Sequence, residues 1–225
     1  MYCKQNRTPQ KVVILFTRYP QAGKVKTRLI AHLGPQEAAE LHSRMTRQVI
    51  QNIEPVLRTG QVRLQVYYCG GSAEEMRCWL GRNFSLKQQQ GHDLGERMCH
   101  AFEQTWQQGA ERVLLIGSDC PGIELSILES GFKYLAGHDL VLGPAADGGY
   151  YLIGLRADVQ HCKQKSCKHN YNLLFQKIKW GSEEVLHQTI QQAETAKLSF
   201  ALLPELHDID RPEDLVHFRD HPGSQ

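Results

Sequence analysis

Apolar residues along this chain fall into two kinds of block that take turns. Residues 12–16 are a short, continuous, β-branched run, the pattern of a strand covered on both faces by helices. Residues 36–57 instead place Ala39, Leu41, Met45, Val49 and Ile53 at helical spacing, a single apolar stripe. Residues 62–68 alternate and predict a second strand, followed by a short helix at 73–80 and a third strand at 84–88. Asp93 reads as a helix N-cap with Glu96 three residues on, a variant of the capping box, and that helix runs to about residue 108 and stops at Gly109. The run 113–116 predicts the central strand, 123–135 a helix closed by Gly137, and 140–142 a further strand. Asp147-Gly148-Gly149 predicts a turn into the strand 150–155. Ser182 is the expected cap of a helix through Glu194, residues 198–203 form a late strand, and Pro212 opens a last short helix at its first position. Residues 158–172, rich in Lys, Gln, His and Cys, are expected to form a mobile loop.

Strands alternate with helices as far as residue 140, which predicts a mostly parallel sheet between two helical layers: a three-layer α/β/α sandwich of Rossmann-like type. The β-turn-β stretch at 140–155 adds an antiparallel excursion or edge. No repeat or low-complexity linker interrupts the pattern, and 225 residues fall below the size at which chains usually split, so residues 1–225 are expected to form one domain.

Composition narrows the function. With 26 Lys plus Arg against 24 Asp plus Glu, the net charge of +2 creates no field suited to nucleic acid. No run approaches the roughly 20 apolar residues of a membrane helix, and residues 1–11 carry no apolar signal core, so neither a membrane partner nor secretion is expected. The seven scattered cysteines read as reduced thiols, which suits the cytoplasm. Oligomeric state leaves no signal in the pattern.

In an open parallel sheet, ligands collect at the carboxyl ends of strands. Three polar clusters follow apolar strands here. The first, residues 17–29, holds Arg18, Gly23, Lys24, Lys26 and Arg28; cationic side chains and backbone N–H groups before a helix suit phosphate, although the segment is not a Walker A loop. The second, residues 116–122, sets Asp119 directly behind the central strand, where it could coordinate Mg²⁺ or Mn²⁺ or simply cap the next helix. The third, residues 206–215, carries Asp208 and Asp210 two apart, so that both point the same way in an extended segment. They could complete a metal shell with Asp119, or Asp210 could only begin a helix. Cys120 is not a candidate nucleophile, because a neighbouring carboxylate raises a thiol pKa. His161, Cys162, Cys167 and His169 match no zinc-finger spacing. Trp79, Trp106 and Trp180 read as packing residues rather than stacking platforms.

In order along the chain, Lys26-Thr27-Arg28-Leu29, Ser118-Asp119-Cys120-Pro121 and the run from Asp208 to Leu215 resemble the nucleotide-diphospho-sugar transferase superfamily. More narrowly, residues 91–98 (GHDLGERM), residues 143–151 (GPAADGGYY) and Trp180 resemble a bacterial GT-A family of glycosyltransferases whose members are often linked with radical-SAM and arsenosugar pathway genes. The resemblance spans about residues 11–218. It implies a GT-A fold, a divalent cation (Mg²⁺ or Mn²⁺), a nucleotide sugar or NTP as donor and a small-molecule acceptor. It further implies that Gly23, Lys24, Lys26 and Arg28 line the donor phosphates and that Gly91, Asp93, Gly95 and Arg97 sit near the nucleoside. Asp119 would bind the metal with Asp208 or Asp210. Asp147, Gly148, Gly149 and Tyr150 would face the donor sugar or acceptor, with Asp147 as a base, although Asp-Gly is also a common turn pair.

The chain departs from the family in one respect. Many GT-A glycosyltransferases carry Asp-x-Asp at the metal position, whereas Asp119 stands alone before Cys120-Pro121. Together with Lys26-Thr27-Arg28, this looks more like the nucleotidyltransferase branch, including guanylyl- and cytidylyltransferases. Glycosyl transfer, nucleotidyl transfer to a phosphorylated acceptor with release of pyrophosphate, and a nucleotide-sensing module without turnover are therefore the three expectations.

Overall fold

A computed structural model describes residues 11–157 and 171–218. The chain runs β1 (Lys11–Arg18), a 3-10 turn (Thr27–Leu29), α1 (Ile30–Leu33), α2 (Pro35–Arg58), β2 (Val62–Cys69), α3 (Ala73–Leu80), β3 (Ser85–Gln88), α4 (Leu94–Gln107) and β4 (Arg112–Gly117). It continues through α5 (Leu125–Tyr134), β5 (Leu140–Pro144), β6 (Tyr150–Arg156), α6 (Tyr171–Leu174), α7 (Val185–Thr195), β7 (Phe200–Leu202) and a 3-10 turn at Pro212–His217. None of the described helices is long and apolar enough to cross a membrane.

The seven strands form one sheet in the order β3-β2-β1-β4-β6-β5-β7. β1 lies parallel to both β2 and β4, and β5 is parallel to β7. β6 alone runs against its neighbours, β4 and β5. The antiparallel excursion is therefore an interior strand and not an edge. Its buried apolar run (Leu152, Ile153 and Leu155 are fully buried) suits a strand paired on both sides and covered on both faces.

Period-two alternation divides the core into layers. Val12, Ile14 and Phe16 of β1 face a cluster that includes Met98, Phe102 and Trp106 of α4 with Tyr171 of α6. Val13 and Leu15 face Val49 and Ile53 of α2, Met76 of α3 and Leu128 of α5. A third, small cluster (Leu29, Ala38, Leu41, Met45 and Ile209) ties the chain after β1 to the chain before Pro212.

Element starts differ from the sequence pattern where turns intervene. α5 begins two residues late because Ile123 N donates to Cys120 O, closing a turn around Pro121 and Gly122. α7 begins at Val185 rather than beside Ser182, whose hydroxyl donates to Lys179 O in the preceding turn. Tyr171 and Asn172, expected within a loop, open α6. The rest of that segment, with His161, Cys162, Cys167 and His169, lies outside the described residues.

The strand order positions the site. The chain steps outward from β1 to β2 and β3, then returns through α4 to lay β4 on the other side of β1. Where neighbouring strands send their connections in opposite directions, a crevice opens at their carboxyl ends. Arg18 ends β1 there, and Asp119 follows β4.

Candidate active site

The chain after β1 turns at Lys26, whose φ of 46° and ψ of 44° place a non-glycine residue in the left-handed region. Such a conformation costs of order 1–3 kcal/mol and persists only where the surroundings dictate it. Here Leu29, one turn on, is fully buried in the third cluster and anchors the segment. The turn drives the Lys26 side chain inward until it is 3% exposed. Its ammonium meets Asp119 Oδ1 at 2.7 Å, donates to Ile209 O, and lies 3.9 Å from Asp210 Oδ1. Ile209 is fully buried and its N–H donates to Asp119 O at 2.9 Å. One buried residue between two acids thus pins Asp208 and Asp210 beside β4. The cationic turn, the acid behind the central strand and the late acid pair meet at one rim.

Asp119 is half-exposed (52%), but its inner oxygen is crowded by protein. That crowding alone would raise its carboxyl pKa. The Lys26 ammonium and His42 outweigh it and hold the group well below the usual carboxylate range. His42, on α2, is the residue that sequence reasoning missed. Its ring is 5% exposed, Nε2 lies 2.9 Å from Arg18 O and 3.4 Å from Thr17 Oγ1, and Nδ1 faces Asp119 Oδ1 at 3.7 Å. Only its position on the buried stripe of a helix was visible in the sequence, and that marks core and ligand alike.

Two hollows flank this cluster. The first, about 400 Å³, is lined by Arg18, Lys24, Lys26, Thr27 and Arg28, with His42, Asp119 and Asp210. The second, about 430 Å³, shares Arg28 and Asp210 with the first and extends over Asp147, Gly149, Tyr150, Trp180 and Asp208. The shared residues form an ion pair, Arg28 Nη1 to Asp210 Oδ2. Gly23 turns with φ 80°, which leaves the loop before Lys24 tight.

Asp208 is where the charges fail to balance. Burial raises its carboxyl, and the nearby charges of Asp119, Asp147 and Asp210 raise it further against the pull of Lys26, to about 7. Cys120, beside it, is pushed far up by burial and by Asp208 and Asp119, so its thiol stays protonated and inert as expected. Asp147 is exposed at the mouth of the second hollow, with Oδ1 accepting from Gly149 N at 2.9 Å. It therefore serves the turn and also lines the hollow. Tyr150 contributes its ring; its hydroxyl is buried, and desolvation pushes that phenol up, opposed by Thr189. Gly148 (φ 85°) admits no side chain, since a Cβ there would lie 2.1 Å from Glu183 O.

The residues grouped with the nucleoside have visible structural work. Asp93 caps α4, accepting from Glu96 N at 2.8 Å, while Glu96 accepts from His92 N rather than from the cap residue itself. Arg97 Nε donates to Gly91 O. Gly91 and Gly95 line a third hollow beside Cys99 and Phe175, and Gly95 also underlies Trp180. Only Leu94 of this stretch reaches the second hollow. Of the tryptophans, Trp106 is core and Trp79 packs on α2, donating to Ser43 Oγ, whereas Trp180 lines a hollow.

Among the described residues, no three His, Cys, Asp or Glu side chains are arranged to hold a metal ion by themselves. Mg²⁺ does not require such a cage: it is usually held by one or two carboxylates plus substrate phosphates and water. Asp119 and Asp208 offer two carboxylates, and a divalent cation there would neutralise the negative charge that raises Asp208.

Residues 51–182 match a family described as "Uncharacterized protein conserved in bacteria (DUF2064)". No curated protein matches the chain. Among solved structures, a Desulfovibrio desulfuricans G20 protein provisionally described as a nucleotide-diphospho-sugar transferase is similar at TM-score 0.82 and 34% identity, over 96% of this chain and 90% of that one. The 4-diphosphocytidyl-2C-methyl-D-erythritol synthase of Anaerococcus prevotii DSM 20548 shares the fold at TM-score 0.57 and 9% identity, over 93% of this chain and 94% of its own. Rv0371c of Mycobacterium tuberculosis H37Rv, solved with manganese, shares it at TM-score 0.53 and 13% identity, over 94% and 98%. With the family match covering more than half of the chain and a full-length relative at 34% identity, the chain belongs to the bacterial DUF2064 family, within the nucleotide-diphospho-sugar transferase superfamily.

Proposed function

We propose that this protein is a GT-A-fold glycosyltransferase that moves a sugar from a nucleotide-diphospho-sugar to a small, hydroxylated acceptor. The observation that carries this reading is a pair of joined hollows of opposite character. The first presents Arg18, Lys24, Lys26 and Arg28, enough cationic charge to hold a diphosphate as it leaves. Among the described residues, the second is lined by five acids (Asp147, Glu183, Asp208, Asp210 and Asp214) against Arg28 and Arg211. An acceptor that already carries a phosphate would be repelled there, and a neutral polyol would not.

In this reading the diphosphate lies along the first hollow, and its sugar crosses the Arg28–Asp210 boundary into the second. Asp119 and Asp208 would hold a divalent cation, which when bound neutralises charge on the leaving diphosphate. Lys26 and Arg28 stabilise the oxygen that departs with the electron pair of the sugar–phosphate bond. The acceptor hydroxyl forms the new bond to the anomeric carbon and loses its proton to Asp147, at the mouth of the second hollow. Gly148 and Gly149 keep the backbone close beneath that carboxylate.

Nucleotidyl transfer is the second reading, favoured by the lone Asp119 before Cys120-Pro121 and by the fold shared with a diphosphocytidyl synthase. Product analysis separates the two. Purified protein is incubated with Mg²⁺ or Mn²⁺ and panels of nucleotide sugars and NTPs. Free nucleoside diphosphate from a nucleotide sugar, lost in Asp119→Asn, is the expected result. Pyrophosphate released from an NTP in the presence of a sugar phosphate would replace this proposal with the second. Nucleotide binding without either product, unchanged in Asp119→Asn, would indicate a sensor.

A further inference from the structure

The second hollow has one wall of unusual construction. Residues 180–183 are set against glycines from two other elements. A Cβ on Gly95, in the first turn of α4, would lie 2.7 Å from Trp180 Cζ2 and 2.9 Å from Phe175 O. A Cβ on Gly148, in the turn before β6, would collide with the backbone of Glu183, and Leu186 N donates to Gly148 O at 2.9 Å. The segment is therefore clamped from both ends, its indole seated on bare helix backbone and partly buried against the core. The same indole lines the hollow beside Tyr150 and the 43%-exposed Leu94. Asp147, whose neighbour Gly148 abuts Glu183, lines the same hollow with Asp208, and Glu183 lines it three residues on from the indole. Of the two cations lining the hollow, Arg28 is already paired with Asp210.

An aromatic side chain and acids lining one hollow are complementary to one class of molecule. The apolar face of a sugar ring packs on an indole, its hydroxyls donate to carboxylates, and an ammonium group gains from both the acids and the π-face. We infer that the part of the second hollow lined by Trp180 and Glu183, beyond the donor sugar, is an acceptor subsite for a non-phosphorylated sugar-like ring, with amine-bearing rings bound in preference to neutral ones, and that these two residues set this choice. Gly95 and Gly148 act as positioning residues by fixing the wall at its working depth. The inference rests on the glycosyl-transfer reading for the word acceptor. Its binding preference stands on the hollow alone.

The test is binding without turnover. The full chain is titrated with methyl glucoside, glucosamine and glucose 6-phosphate at low and high salt, using calorimetry. Glucosamine is expected to bind about threefold to tenfold more tightly than the neutral glucoside at low salt, and the phosphate at least about tenfold more weakly. Glu183→Gln should shrink the amine preference while leaving the neutral glucoside's affinity in place, and 0.5 M salt should do the same in the unmodified chain. Trp180→Leu should weaken both non-phosphorylated sugars about tenfold, with Trp180→Phe restoring part of the loss. Gly95→Ala, which pushes the indole toward the hollow, should weaken all ring binding more than it lowers the melting temperature. Equal or tighter binding of glucose 6-phosphate, or an order of affinities indifferent to Glu183→Gln and Trp180→Leu in folded protein, overturns the inference. Product assays fail independently: pyrophosphate release alongside the expected sugar order would remove the glycosyl reading and leave this subsite standing.

Discussion

Replacing Lys26 by Met keeps the length and burial of the side chain and removes only its charge and donors. In the native protein the ammonium is 3% exposed and serves Asp119, Ile209 O and Asp210 together. Losing the donor to a buried carbonyl costs about 1–3 kcal/mol. The Asp119 contribution is smaller, under about 1 kcal/mol, because that carboxylate is half-exposed and water takes over part of the role. The relief of burying an ammonium offsets some of the sum, so about 2 kcal/mol should remain. For a domain of this size that corresponds to a fall in Tm of roughly 4–8 °C. The sign of the pH dependence follows from Asp119. Its folded carboxyl lies below the ordinary 3.8, so the stability it brings is present above that pH and is lost as pH falls through the folded value. The Asp119 part of the gap between Lys26→Met and the parent, measured by urea unfolding, should therefore vanish under strong acid and leave the larger part that comes from Ile209 O. From pH 6 to 8 the gap should grow, because Lys26 also restrains Asp208. If Lys26 also meets developing phosphate charge, turnover should fall about 10²–10³-fold. A variant within about 0.5 kcal/mol of the parent at pH 7, or a gap that widens on acidification, would refute the reasoning.

Four further outcomes follow from the same contacts. Asp208, raised to about 7 in the folded chain, makes folding less favourable as pH climbs from about 4 to 7, because the unfolded chain releases that proton first. Asp208→Asn should therefore raise Tm more at pH 8 than at pH 5 in metal-free buffer, while abolishing any stabilisation by Mg²⁺ plus nucleotide; thermal scans with and without both check this. Gly148→Ala forces a Cβ to within 2.1 Å of Glu183 O at a φ of 85°, so chemical denaturation should show a loss above about 2 kcal/mol. Arg28→Ala should cost under about 1 kcal/mol in stability, the ion pair being exposed, yet weaken nucleotide affinity with a clear loss of salt dependence in calorimetric titrations. Among the four cysteines Cys69, Cys78, Cys99 and Cys120, alkylation followed by peptide mass spectrometry should find the exposed Cys78 labelled first and Cys120 last, because burial and two carboxylates keep the latter protonated.

Strand and helix identities were legible because they are set by short-range periodicity. β1, with its unbroken apolar run, and α2, with its stripe from Ala39 to Ile53, needed only neighbours within a turn or two to declare themselves. Turn chemistry was less so. Ser182 has the right side chain for a cap, and its hydroxyl accepts from Glu184 N at 3.4 Å while donating to Lys179 O. But the chain first closes a turn there and α7 opens only at Val185, which becomes visible once the backbone has folded. Likewise the β-turn-β stretch announced an antiparallel strand without saying that β4 and β5 would enclose it.

The site divides along the same line. Sequence alone determined the sheet type, the three polar clusters at strand ends and the outward alternation of Asp208 and Asp210 around Ile209, since each depends on residues a few positions apart. Tertiary structure decided that these clusters share one rim, that His42 and Trp180 join it, and that Lys26 is buried against Asp119 while Asp208 is left short of positive charge. Those outcomes depend on distances between groups far apart in the chain, 183 residues in the case of Lys26 and Ile209, and on how much water is excluded between them, and a one-dimensional pattern encodes neither.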